Sequence, residues 1–176
     1  MVSLKFKKKL KDMEKLDNVS QKLLELDEDV LRSQLGIHAQ AISQDITARS
    51  ASIETLDETL TAIRRGVVSK GIVSKGTDAS FGDRLFKRLN LKSYNLMCSN
   101  ISDLVEQAET LKQLQDAYEQ STVKAASFMV PVLITNLGLA PAIAAIIAAL
   151  IIKTISSASA ETICEVWKEK LATPGT

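Results

Sequence analysis

Few residues in this sequence have the types and spacing that catalysis or metal binding requires. There is one histidine, His38, and there are two cysteines, Cys98 and Cys164, too few nitrogen and sulfur donors for a four-ligand zinc site. His38 has no nucleophile or acid at a recognisable spacing and reads as a core-edge residue. The cysteines lack the spacing of a redox pair, so one disulfide or none is open. The run Asp27-Glu28-Asp29 lacks the glycine and spaced oxygens of a calcium loop and reads as a solvated helix face.

A repeated tetrapeptide, Val68-Ser69-Lys70-Gly71 and Val73-Ser74-Lys75-Gly76, invites a phosphate-loop reading. That loop needs Gly, four residues, then Gly-Lys-Ser/Thr between a buried strand and a helix. Here the order is Lys-Gly and no strand-like run precedes it. The sequence therefore predicts no enzyme, no cofactor and no metal site.

The surrounding elements carry more information. The chain has 176 residues, 45% hydrophobic and 24% charged, with 22 Lys+Arg against 21 Asp+Glu and a net charge of +1. That composition suits a folded domain and supplies no global field for nucleic acid. Aromatics at 4%, with 7 Gly and 3 Pro, argue against a β-rich fold and for helices.

Leu35, Ala39, Ile42, Ile46, Arg49, Ile53, Leu56, Leu60 and Ile63 alternate four- and three-residue steps, which predicts one long striped helix. Met97, Ile101, Leu104, Ala108, Leu111, Gln115, Tyr118, Thr122 and Ala125 repeat the pattern and predict a second. With a loop at 66–82 between them, the expected fold is all-α: an elongated helical bundle built on a long antiparallel helical hairpin with coiled-coil-like stripes.

Residues 125–152 carry no charge. As one straight helix they would measure about 42 Å, against about 30 Å for a bilayer hydrocarbon core. Gly138 suits a helix C-cap and Pro141 the first turn of the next helix, so both are read as a hinge. The segment is expected to form an apolar helical hairpin or a kinked transmembrane helix, inserting through Phe128, Val132, Ile134, Leu137, Leu139, Ile143, Ile147, Leu150 and Ile151. It should need more cover than a lone monomer supplies. The alanines at 140, 142, 144, 145, 148 and 149 favour close helix packing and hence a homo-oligomer.

Residues 3–16 read as a basic amphipathic helix, whose lysines Lys5, Lys7, Lys8, Lys9 and Lys11 suit a membrane surface together with Lys153 and Trp167; the other readings are a terminal helix packed on the bundle with its lysines in water, and a Trp167 packed onto the bundle. Asp12, Glu14 and Lys15 stand where a secretory signal would place its apolar core, so membrane association without a cleavable signal peptide is expected.

The organisation expected is an amphipathic bundle over 1–124, the apolar segment over 125–155, and an amphipathic helix and tail over 156–176. The functional expectation is insertion of 125–152 into a lipid bilayer, anionic given the lysines, followed by oligomerisation and permeabilisation, as in a pore-forming protein or cell-death effector. In architecture alone such a chain is similar to α-helical pore-forming toxins, colicin-like bundles and membrane-permeabilising cell-death domains. The alternative is a structural or adaptor coiled-coil protein using the apolar segment as oligomer interface or passive anchor.

Overall fold

A computed structural model describes residues 2–44, 52–66, 77–99 and 105–173. The described residues form eight α-helices and no strand, in agreement with the all-α helical bundle. In chain order these are α1 (Val2–Leu24), α2 (Glu28–Gln44), α3 (Ile53–Arg64), α4 (Thr77–Cys98), α5 (Val105–Gln120), α6 (Thr122–Leu137), α7 (Pro141–Thr154) and α8 (Ile163–Ala172). A 3₁₀ turn, Ala160–Thr162, precedes α8.

The two long striped helices are not formed as such. α3 has its own start at Ser52, whose backbone is extended (φ −86°, ψ 154°) and whose Oγ accepts the Thr55 amide. That N-cap satisfies one orphan N–H of a new helix, so α2 and α3 are separate. Ile46 and Arg49 lie outside the described residues. The second stripe breaks in the same way at Ser121, which caps α6 by accepting the Lys124 amide at 3.0 Å, and Ile101 and Leu104 lie outside the described residues. The first stripe continues across its break because α2 and α3 both turn apolar residues, Leu35, Leu56, Leu60 and Ile63, inward; in the second, Ala108 and Thr122 are exposed, so the recurrence there is not one core face. A 3.5-residue recurrence does not require a continuous rod. The loop predicted at 66–82 also ends early, since 77–82 are helical; residues 67–76 lie outside the described residues.

The core is organised around α7. Ala142 through Ile152 are all buried, none more than 6% exposed. α6 lies beside α7, and α1, α2, α3 and α4 also pack on it. α2 and α4 form an extensive helix pair, made possible where Gly82 meets the Arg32 carbonyl and the Gly36 amide. Arg32 strengthens the crossing: its guanidinium bonds Asp83 at 3.1 Å and Glu28 at 3.3 Å and lies 5.6 Å from the Phe86 ring centroid. At the other edge, Cys98 and Cys164 form a disulfide with 5.6 Å between α-carbons, tying the end of α4 to α8. The sequence left this pairing open.

Candidate functional site

The uncharged segment folds as two helices. α6 ends at Gly138, which takes the left-handed conformation (φ 64°, ψ 28°) and donates its amide to Ile134 O at 3.1 Å. Pro141 then occupies the first turn of α7, where no donor is missed. The hinge assigned to Gly138 and Pro141 thus coincides with a real break, and the two helices pack together. The alternative of one kinked transmembrane helix is not found: no helix among the described residues is long and apolar enough to cross a membrane. At ~1.5 Å per residue, α6 and α7 measure about 24 and 21 Å.

The nine residues assigned to insertion all belong to this hairpin. Ile143, Ile147, Leu150 and Ile151 are buried in α7; Phe128, Val132, Ile134, Leu137 and Leu139 are half-buried. The cover expected from other subunits or lipid comes instead from the chain itself. The alanines of α7 supply it: small side chains let neighbouring helices approach on every face, so a helix with no polar side can be enclosed. α6 is different, with Pro131, Thr135 and Asn136 exposed. A groove of ≈ 400 Å³, lined by Leu16, Ile53, Val130, Pro131, Ile134 and Pro141 among others, opens where α1 and the start of α3 meet the hairpin.

The cover is fastened by polar contacts that the sequence reading missed. Lys22 Nζ donates to Asp57 Oδ1 at 2.7 Å, Lys15 pairs with Glu54, and Lys124 pairs with Asp17. The first two join α1 to α3; the third joins α1 to α6. The hydrogen bond from Lys15, with the ion pair behind it, holds the Glu54 carboxyl below its ordinary range. Lys153 Nζ donates to Leu24 O at 2.9 Å, so the end of α7 caps the end of α1. Tyr118 Oη lies 3.0 Å from both Ile155 O and Ala158 O, fixing the exit of α7, and burial pushes this phenol up.

The residues assigned to the membrane surface separate into three places. Lys5, Lys7, Lys8, Lys9 and Lys11 are exposed on α1. Lys153 is half-buried in the contact just described. For Trp167 the membrane-surface placement is corrected in favour of bundle packing: it is 0% exposed, its Nε1 donates to Asn90 Oδ1 at 2.7 Å, and its ring meets Tyr94 edge-on at 5.7 Å. An indole with both its face and its donor satisfied inside the bundle is a core residue. The partner for its N–H stands 77 residues away, on α4, beyond any local signal.

Among the described residues, no three His, Cys, Asp or Glu side chains are placed to hold a metal ion. His38 is buried in α2 at 5% exposure. Comparison with protein-family models, curated proteins and solved structures finds no match to this chain.

Proposed function

We propose that this protein is membrane-active: the α6–α7 hairpin passes from the bundle into a lipid bilayer, and several copies assemble there and permeabilise it. The observation that carries this reading is α7, a helix apolar around its whole circumference and enclosed by helices that each keep a wet side. Lipid tails and a protein core are equivalent surroundings for such a helix, so exchanging one for the other costs α7 little. With lengths of about 24 and 21 Å, α6 and α7 reach into a ~30 Å hydrocarbon core without either crossing it. Disruption therefore needs a group of hairpins, which agrees with the proposed oligomer. The reading of the segment as an oligomer interface requires the same opening of the bundle, since the subunit already covers it.

The test is dye release from anionic liposomes by the full chain. A charge at Ala145, which is 2% exposed, would unfold the bundle and prove nothing. Thr135 and Asn136 at the hairpin tip are exposed, so Thr135→Asp with Asn136→Asp leaves the core intact. Carrying two carboxylates towards the bilayer centre adds about 5–7 kcal/mol, and dye release is expected to fall more than a hundredfold in a folded protein, whose melting temperature drops only by the loss of the Asn136 Nδ2–Val132 O bond and the two carboxylates at the helix C-terminus. Release at the wild-type level by this variant, or none from the wild type, refutes hairpin insertion.

A further inference from the structure

α1 is one unbroken helix with two halves of different character. Its inner half buries Val19, Ser20 and Leu23 and half-buries Leu16, packing on α3, α6 and α7. Its outer half touches little: residues 3–14 are all exposed, including Leu4 at 76%, Phe6 at 61%, Leu10 at 51% and Met13 at 50%. Phe6, Leu10 and Met13 follow four- and three-residue steps and make one stripe. At about 100° per residue, that stripe is turned about a quarter of the circumference away from the inner buried face. Leu16, Ser20 and Leu23 carry the same three- and four-residue steps onto the buried face, so the exposed stripe is its outward continuation, turned progressively away from the bundle. Lys5 and Lys9 fall on one flank of the stripe, and Lys7 and Lys11 on the other.

We infer that the outer half of α1 is a docking foot for an anionic phospholipid surface, seated through Phe6, Leu10 and Met13 while the bundle stays folded. An apolar stripe flanked by lysines suits the boundary between acyl chains and headgroups, where the rings and aliphatic chains sink and the ammonium groups reach the phosphates. A second copy paired in parallel brings lysine flanks against lysine flanks; an antiparallel copy, whose Lys7 and Lys9 would meet Glu14 and Asp12 on the same two flanks, is the rival that the self-association arm of the experiment reads. Since α1 is continuous, the docked half and the half lying on the hairpin are one rod, and docking holds the hairpin's cover at the bilayer. That last consequence rests on the membrane-active reading; docking itself does not, and the two are measured separately.

The experiment floats the full chain with phosphatidylcholine vesicles with and without phosphatidylglycerol, at low and high salt, alongside Phe6→Gln/Leu10→Gln/Met13→Gln and Thr135→Asp/Asn136→Asp. The wild type is expected to float with the anionic vesicles, more weakly at high salt and hardly with neutral ones. The triple variant, altered only at exposed positions, should bind at least tenfold less at an unchanged melting temperature. The hairpin-tip variant should float like wild type while releasing no dye, so failure of hairpin insertion leaves docking standing. Docking through this foot is overturned if the wild type does not float, if it floats equally with neutral vesicles, or if the triple variant floats undiminished. It is equally overturned if the triple substitution abolishes a concentration-dependent self-association of a chain that never floats.

Discussion

Gly82→Ala separates helix propensity from packing, because the two predict opposite signs. Gly82 sits inside α4 with helical backbone, where alanine is favoured over glycine by about 1 kcal/mol. Were α4 free on that side, the substitution would stabilise the protein. A β-carbon there, however, would lie well inside van der Waals contact with the Arg32 carbonyl oxygen, and close to the carbonyl carbon and the Gly36 amide. These are backbone atoms of α2 and cannot swing aside like a side-chain end, so the α2–α4 crossing has to widen. Overpacking of this kind costs about 1–3 kcal/mol, with rigid backbone placing this site at the upper end. The net expectation is about 2 kcal/mol of destabilisation, or a melting temperature lower by about 4–8 °C for a chain of this size. Gly138→Ala is the control. Its β-carbon would meet nothing within 4 Å, but its φ is +64°, so its cost of about 1–2 kcal/mol is conformational only. Urea titration and thermal melts by circular dichroism measure both. A Gly82→Ala protein as stable as wild type, or more so, refutes the close crossing of α2 and α4.

Substitutions at three further contacts probe the fastenings. Cys98 and Cys164 close a loop with a sequence separation of 66, which in the chain-entropy account stabilises by about 4 kcal/mol; Cys98→Ser/Cys164→Ser should lose that amount in urea, and reductant should lower the wild type to match but leave the variant unmoved. Trp167→Phe strands the buried Asn90 acceptor and opens a gap, costing about 2–4 kcal/mol; adding Asn90→Leu should recover part of it, and purely additive losses would refute the 2.7 Å bond as an energetic unit. Burial raises the Tyr118 pKa above its ordinary value near 10, so the unfolded chain ionises first. The associated stability is complete below pH 10 and is lost as pH rises through the folded value. Tyr118→Phe should flatten the pH dependence of the melting temperature there, and an unchanged slope would assign it to other groups.

What the sequence made legible was whatever local chemistry decides. The break at Gly138 and Pro141 was readable because a left-handed C-cap and a donor-free first turn each prefer one residue type. The caps at Ser52 and Ser121 use equally local chemistry, yet serine also occurs inside helices and the apolar recurrence continued across both, so periodicity hid them. Trp167 stays open between two places in the sequence for a different reason. Tryptophan beside lysines is the same local pattern at a headgroup and on a bundle, and only Asn90, brought in by the tertiary fold, distinguishes the two. The Cys98–Cys164 bond was similarly open, since pairing depends on α-carbon distance rather than on spacing along the chain. The lysines of α1 are visible in the sequence; that Phe6, Leu10 and Met13 are left exposed among the described residues is not.

The enclosure of α7 constrains how the hairpin could leave. Its Leu and Ile side chains, Ile143, Ile146, Ile147, Leu150, Ile151 and Ile152, gain about 1.5–3 kcal/mol each on burial, or about 9–18 kcal/mol together. That equals or exceeds the whole stability of an ordinary domain, about 5–15 kcal/mol, so a folded intermediate with α7 bare in water is not populated. In the membrane-active reading proposed above, transfer would therefore be concerted, with lipid replacing each cover helix as it lifts. The cover is held by amphipathic faces, by exposed ion pairs worth about 0–1 kcal/mol apiece and by the part-buried Lys22–Asp57 pair, and in that reading these would set the barrier. Dye release by a series of folded variants should therefore rise as the cover is weakened, faster in Gly82→Ala and Cys98→Ser/Cys164→Ser than in wild type. It should change little on Ile147→Leu, which alters α7 but not its enclosure. If release instead followed the hydrophobicity of α7 and ignored the stability of its cover, bundle opening would not be the limiting step.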